Sequence, residues 1–441
     1  MIKRRNFIKA SALAGAGVSL GLPAKSYSNI MGANEKSNVA IIGCYRRFGG
    51  LQGPLSRMKD VHIKYVCDVD SRRQADGMAK VLKDAGYPTK GEKDIRKILD
   101  DQEIDAVFLA IPDHWHAPGT WMALDAGKNV YVEKPASHNP HESELLIQLQ
   151  KKYGKVVQMG NQQRSAPETI EIIKEIHNGA IGKAYKAVAF YSNTRGRVPD
   201  ASVVPVPDYL DWDLFQGPAP RQEFINIVGD YNWHWYWTYG TGETGNNATH
   251  ELDIARWALD VTYPKLAYVD AAKQHYKDDP WTMYDTMYAT FEFEDDKVIN
   301  WDGKSRNGYN TYGGGRGTII YGTEGTVMVD RGKYEMYDRG GKLVKERKGG
   351  EEGGVALGGG GDTTDLHVRN FLDAVKGTAK QNSNIEEGAI STNLCHYANI
   401  SYKLQNRAID IDQTTGHFKD PRVMDEHWSR TYEKGWEPPK V

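Results

Sequence analysis

Lys128-Asn129-Val130-Tyr131-Val132-Glu133-Lys134-Pro135 is the stretch on which the reading of this chain turns. Val130, Tyr131 and Val132 form a short apolar run of the kind that fills a buried strand. A lysine at the carboxyl end of such a strand points into the crevice where open α/β sheets bind ligands. There it can set a positive charge against a reacting oxygen, or it can merely solvate the sheet edge.

The pattern on either side is an alternation of strand and helix. Upstream, Val39-Ala40-Ile41-Ile42 is closed by Gly43, and His62 to Cys67 reads as a second strand. A helix is predicted from Ser71, a good N-cap, to Lys83, and another over 93–100. Asp105 to Ala110 is a strand ended by Ile111-Pro112, followed by a helix over 116–126. Downstream, a helix from His141 to Tyr153 follows Pro140, and Val156 to Met159 is the last strand of the unit. Strands alternating with helices predict a doubly wound parallel sheet, an α/β Rossmann domain over 37–160.

After Gly160 the pattern changes. A helix is predicted over 167–177, then strands over 184–192, 266–272, 287–294, 297–301, 317–320 and 326–329, with helices over 363–375 and 386–404. Closely spaced strands without intervening helices predict a mostly antiparallel open sheet. Residues 161–415 therefore read as an α+β substrate and oligomerisation domain, with 416–441 as a C-terminal tail. Gly349 to Gly361 reads as a mobile surface loop.

A chain of 441 residues is long for one domain, and 39% apolar with 26% charged residues suits a globular protein with a full core. A formal charge of −2 with no basic stripe argues against nucleic acid, and no long apolar run suggests a membrane span. Cys44, Cys67 and Cys395 make neither a disulfide framework nor a metal set, so no metal is expected. Residues 1–28 read as a signal peptide: Arg4, Arg5 and Phe7 precede a weakly apolar segment, in the manner of the twin-arginine type. A Sec signal carrying two arginines is the alternative. Export to the periplasm, with the twin-arginine machinery as a partner, is the expectation, and 29–36 is a linker or arm.

Gly43-Cys44-Tyr45-Arg46-Arg47-Phe48-Gly49-Gly50 stands where a Gly-x-Gly-x-x-Gly fingerprint is expected. Only its first glycine is present; Tyr45 and Phe48 hold the other two positions. Arg46 and Arg47 are candidates to replace lost backbone contacts with charged bonds to phosphate. Asp68 follows the second strand, where an acidic residue accepts bonds from ribose hydroxyls, so NAD is favoured over NADP. Arg72 and Arg73 lie close enough to meet a 2'-phosphate instead.

A second cluster runs from Gly240 through Asn246 and His250 to Asp253. Residues three and four apart share a helix face, so these three align if a helix begins by Asn246. Oxidising a carbinol requires a base, and histidine titrates near working pH. Lys134 can stabilise alkoxide charge or share the proton. Asn246 cannot be a base and can only orient substrate. Trp233, Trp235 and Trp237 lie in a run whose faces could stack on sugar rings, or pack a core or an oligomer face. Gln163 and Arg164 could bind hydroxyls or join two domains.

The Glu133-Lys134-Pro135 stretch, the nucleotide pattern before it and the Gly/Asn/His/Asp cluster after it resemble the Gfo/Idh/MocA family of nicotinamide-dependent oxidoreductases. The resemblance covers nearly all of the chain beyond the leader. It implies a sugar or glycoside dehydrogenase acting on a carbinol such as C3 of a hexose, with His250 as base and Lys134 assisting. It implies cofactor contacts from Gly43, Tyr45, Arg46, Arg47, Phe48, Asp68, Glu133 and Lys134, and from the Pro112, His114 and His116 loop. Asp113 in that loop could equally be a helix N-cap. Substrate contacts are expected from Gln163, Arg164, the three tryptophans, Asn246 and Asp253. Many relatives carry Asp where Asn246 stands, which counts against a carboxylate base there. The family also implies homo-oligomers. Two rival functions stand beside this one. One is an NAD-dependent glycosidase that oxidises C3, eliminates the aglycone, adds water and reduces again. The other is a sugar-binding protein with a vestigial nucleotide fold.

Overall fold

The computed structural model describes residues 36–348 and 362–441, apart from Ile227 and Gly229. The expected leader, residues 29–35 of the linker and the glycine-rich stretch 349–361 lie outside the described residues.

Six strands form the first sheet: β1 (Ser37–Ile42), β2 (Val61–Cys67), β3 (Lys90–Glu92), β4 (Ala106–Leu109), β5 (Asn129–Glu133) and β6 (Val157–Gly160). They pair in parallel in the order β3-β2-β1-β4-β5-β6. The chain turns from one side of β1 to the other between β3 and β4, which opens a crevice at the carboxyl ends of β1 and β4. Their connections include α1 (Phe48–Arg57), α2 (Ser71–Ala85), α3 (Ile95–Leu99), α4 (Asp113–Asp125) and α5 (Pro140–Tyr153). Local chemistry sets several ends: Asp70 caps α2 through the amides of Arg72 and Arg73, and Gly86 ends it in the left-handed region at φ 75°. Asn139 caps α5 and Gly154 ends it at φ 63°. α1 has no counterpart among the sequence expectations. Gly49, Gly50, Gly53 and Pro54 give it poor intrinsic propensity, and burial of Phe48, Leu51 and Leu55 under the sheet holds it helical.

The second part begins with α6 (Pro167–His177) and β7 (Ala184–Ser192), followed by a short α7 (Trp212–Gln216) and α8 (Thr249–Leu259). Then come β8 (Leu266–Ala272), β9 (Thr286–Glu292), β10 (Val298–Lys304), β11 (Arg316–Gly322), β12 (Gly325–Val329), β13 (Lys333–Asp338) and β14 (Leu343–Lys348). With β15 (Ile409–Asp410) they form a nine-stranded sheet in the order β14-β13-β12-β11-β7-β10-β9-β8-β15. Every neighbouring pair is antiparallel except β7 with β10. Alternation in β8 buries Ala267, Val269 and Ala271 against α8 and α10 (Ile385–Lys403), while Tyr268 and Tyr288 stand exposed on the opposite face.

Later segments cross back to the first sheet, among them the start of α10, where Ile385 joins the core and Asn384 bridges to Gln158 of β6. α9 (Asp362–Val375) lies within the expected second domain, yet Val368, Phe371 and Leu372 pack with Phe108 and Tyr131. The expected tail continues through α11 (Pro421–His427) and then sets Trp436 edge-on to Trp115, with Tyr432 beside Trp121. No helix among the described residues is long and apolar enough to cross a membrane.

Candidate active site

A cavity of about 640 Å³ lies at the carboxyl edge of the first sheet and reaches the second sheet. At its nucleotide end Gly43 has φ 96°, and a Cβ there would sit 2.2 Å from the Ala110 carbonyl oxygen, so only glycine allows β1 and β4 to close at this point. Asp68 lines the cavity and fixes the loop by accepting from the Cys44 and Asp70 amides at 2.8 and 2.9 Å. Each carboxylate oxygen keeps a further lone pair for a hydroxyl. Burial raises the Asp68 pKa, and those two amides pull it back down. Tyr45 lies between the Arg46 and Arg73 guanidiniums, at 5.4 and 3.9 Å. Arg72 is held by Asp70 at 2.8 Å and covers the Tyr209 ring at 3.3 Å.

Phe48 stands where the fingerprint has its third glycine, and it does not line the cavity. Its ring packs toward α2, where a Cβ on Gly77 would meet Cys44 Sγ at 3.0 Å and the Phe48 ring at 3.4 Å. The glycine that permits close packing has moved to the partner helix. Arg47 departs from its expected phosphate role in part: its Nε donates to Glu133 Oε1 at 2.6 Å, and its Nη2 is buried without a hydrogen-bond partner. Glu133 is therefore the counter-ion of Arg47 at the cavity wall.

At the other end Lys134, the first residue past β5, donates from Nζ to the Asn246 carbonyl at 2.6 Å. Asn246 belongs to a π-helical turn (Thr244–Ala248) that leads into α8, a distortion often found at functional sites. Burial lowers the Lys134 pKa to about 8, against the raising influence of Asp113 and Glu133. His250 lines the same cavity, and its Nδ1 lies 2.8 Å from Asn161 Oδ1. That bond places the proton on Nδ1 and leaves Nε2 with its lone pair. Burial, then the positive charges of Arg331 and Lys134, hold the His250 pKa well below the ordinary value. Asn246 Nδ2 donates to Tyr231 and to Glu243, at 3.0 and 2.9 Å. Pro112, His116, Gln163, Trp233 and Asn246 also line the cavity.

Several expected site residues lie elsewhere. His114 is buried between the carbonyls of Phe215 and Tyr239, where desolvation lowers its pKa to about 3. Asp113 is not an N-cap but faces the cavity and binds the Thr241 amide and hydroxyl at 3.0 and 2.5 Å. Arg164 and Asp253 do not touch the cavity. They pair with each other at 2.7 and 2.9 Å, and Ser391 completes the carboxylate. Trp235 stacks on Trp281 at 4.0 Å, and Trp237 lies under Lys403 at 4.3 Å, while the turn at Asn232–Trp235 sends Trp233 and His234 to the cavity. The sequence reading missed Tyr231, Arg195, Glu243 and Arg331, all gathered at the reactive end. Tyr231 lies in the aromatic run and Glu243 in the glycine-rich turn, so both carried a local signal. Arg195 and Arg331 carried none. Among the described residues no cluster of three or more His, Cys, Asp or Glu could hold a metal.

Residues 37–161 match the family described as oxidoreductase, NAD-binding Rossmann fold, and residues 170–328 match the GFO/IDH/MocA C-terminal domain. This chain belongs to the Gfo/Idh/MocA oxidoreductase family. It is 31% identical over 210 residues to a glycosyl hydrolase family 109 protein of Saccharopolyspora erythraea, a match covering 43% of this chain and 45% of that one. It is 27% identical over 166 residues to the levoglucosan dehydrogenase of Pseudarthrobacter phenanthrenivorans, covering 38% and 36% of the two. The chain thus spans less than half the length of these curated relatives. The fold superposes on a levoglucosan dehydrogenase in complex with NADH and levoglucosan with a TM-score of 0.65 at 19% identity, covering 86% of this chain and all of the other. An aldose-aldose oxidoreductase of Caulobacter crescentus gives 0.64 at 16% identity, covering 85% of this chain and all of the other. The residues present fit the dinucleotide of this family. Asp68 stands at the end of β2, the cavity runs along the strand ends, and Arg47 Nη2 is a buried donor awaiting an acceptor.

Proposed function

We propose that this chain is an exported, NAD-dependent sugar or glycoside dehydrogenase acting on a ring carbinol, C3 of a hexose unit being the first choice. The observation that carries this reading is the meeting of Lys134 and His250, from distant parts of the chain, in one cavity with Asp68. When bound, the nicotinamide supplies the hydride acceptor. His250 Nε2 takes the hydroxyl proton, and Asn161 holds the imidazole in the required tautomer. Lys134, charged below about 8, donates to the carbinol oxygen as negative charge grows there. Tyr231 and Trp233, braced against His234, present aromatic surface and, from Tyr231, a hydroxyl to the sugar. Asp68, together with the engagement of Arg72 by Asp70, supports NAD over NADP. Export rests on Arg4, Arg5 and Phe7, and homo-oligomerisation on the exposed tyrosines of the second sheet.

The relatives named glycosyl hydrolase family 109 favour a second reading, redox-neutral glycoside cleavage through transient oxidation at the same carbon. The vestigial-fold reading loses part of its motive, since Gly77 restores the packing that Phe48 would otherwise block, while Tyr45 still holds the second glycine position. The deciding experiment extracts the purified protein, identifies released nicotinamide by mass spectrometry, and incubates the protein with a panel of sugars and glycosides. Net NADH formation supports the dehydrogenase. Free aglycone without NADH supports the glycosidase. Absence of both, with no nicotinamide bound, removes both.

A further inference from the structure

Around the reactive end of the cavity the guanidiniums are unevenly paired with carboxylates. Arg47 is taken by Glu133 at 2.6 Å and Arg195 by Glu243 at 3.1 Å. Arg316 takes Glu251 Oε1 at 2.8 Å. Arg331 reaches only that same oxygen, at 3.8 Å, beyond hydrogen-bond range, and its Nη2 is buried without a hydrogen-bond partner. One carboxylate oxygen therefore faces two guanidiniums, while Glu251 Oε2 is buried without a hydrogen-bond partner and is not aimed at Arg331 closely enough to bond it. Asp113, the other nearby acid, is spent on Thr241.

Arg331 is delivered there by rigid structure. It sits in the tight turn between β12 and β13, where Asp330 Oδ1 accepts from the Gly332 and Lys333 amides at 2.8 and 2.9 Å. Gln163, itself on the cavity wall, donates to the Asp330 carbonyl at 2.8 Å and ties the turn to the segment that follows β6. A guanidinium desolvated without a full counter-ion is costly, and a bound anion would offset that cost. Its planar fork suits the two oxygens of a carboxylate or of a phosphate ester.

We infer that Arg331 is the specificity residue for an anionic substituent on the substrate, so that the natural substrate is an acidic carbohydrate. This deepens the proposed function and rests on it for the reacting carbon. Desolvation, then the neighbouring charge of Arg316, lowers the Arg331 pKa to about 9, as expected of a guanidinium lacking its anion.

The test uses the full chain with matched probes: methyl glycosides of glucose, galactose and mannose, each as the neutral sugar, the uronate and the 6-phosphate. Affinity is read by calorimetry, so the result does not depend on turnover. The acidic member of at least one pair is expected to bind about tenfold or more tighter than the neutral one. Uronate against 6-phosphate then says which oxyanion is read. Arg331→Gln should abolish that preference, leave NAD+ affinity and neutral-sugar affinity unchanged, and raise the melting temperature slightly by relieving like-charge repulsion. Arg331→Lys should keep part of the preference. The inference is overturned if neutral sugars bind as well as acidic ones, if Arg331→Gln keeps the preference, or if the variant loses NAD+ instead, which would assign Arg331 to the cofactor. Failure of every sugar to yield NADH or aglycone would remove the proposed function while leaving the calorimetric preference readable.

Discussion

Burial in one cavity wall holds Lys134 down to about 8 and His250 well below its usual value, so near neutrality the lysine is charged and the imidazole is not. If Lys134 works as a cation, kcat/KM for oxidation should stay level through neutral pH and fall above about 8, by about tenfold per unit. No acidic limb should appear near 6.5, because His250 protonates only at lower pH. Lys134→Arg should move the alkaline limb out of range. A rate that climbs through pH 8 to a plateau would instead make Lys134 the base. Lys134→Ala and His250→Ala should each lower turnover by about a hundredfold or more. At this scale the sequence shows which side chains can do chemistry but not which of them have already found partners. Arg164 and Asp253 read as substrate contacts because their types suit hydroxyls, and only the fold reveals that they neutralise each other. Arg331 stands in a hairpin with no motif around it, so its place became visible only with the turn's geometry.

The elements follow the same logic of pattern against context. Buried strands such as β1 and β4 announce themselves as unbroken apolar runs, and α6 shows a clear helical stripe. β14 hides because Leu343 to Lys348 is exposed almost throughout and rich in charge, the composition that protects an edge strand from further pairing. α1 hides behind its glycines and proline. The C-terminal segment is the element with the most to test. Glu142, at the start of α5, has a side chain wholly removed from solvent and accepts from Arg430 Nε at 2.9 Å and the Tyr432 hydroxyl at 2.8 Å. Arg430 Nη2 also donates to the His114 carbonyl at 2.7 Å. Arg430→Ala leaves a buried carboxylate without its cation and should cost about 3–5 kcal/mol in urea denaturation. Tyr432→Phe removes one hydrogen bond to it and should cost about 1 kcal/mol. Equal and small losses in both variants would mean that the segment is only loosely seated.

Across the whole molecule, the chain builds the first sheet from its own strands and then returns to it through α9, through the start of α10 at Ile385, and last through Trp436 and Tyr432. The cavity is walled by both sheets, so a ligand there touches parts of the chain that are far apart in sequence. Such a ligand binds the native arrangement and not the unfolded chain, and the stabilisation follows its saturation, about 2.7 kcal/mol at a hundredfold excess over Kd. NAD+ added to protein freed of any retained nucleotide should therefore raise the melting temperature. If Asp68, at the end of β2, receives the ribose hydroxyls, its carboxylate repels a 2'-phosphate and NADP+ should raise it less. Asp68→Asn removes that charge while keeping an acceptor for the Cys44 amide, and it should narrow the gap between the two nucleotides. Equal shifts from NAD+ and NADP+ in the unaltered protein would transfer the phosphate to Arg46 or Arg73 and end the case for NAD.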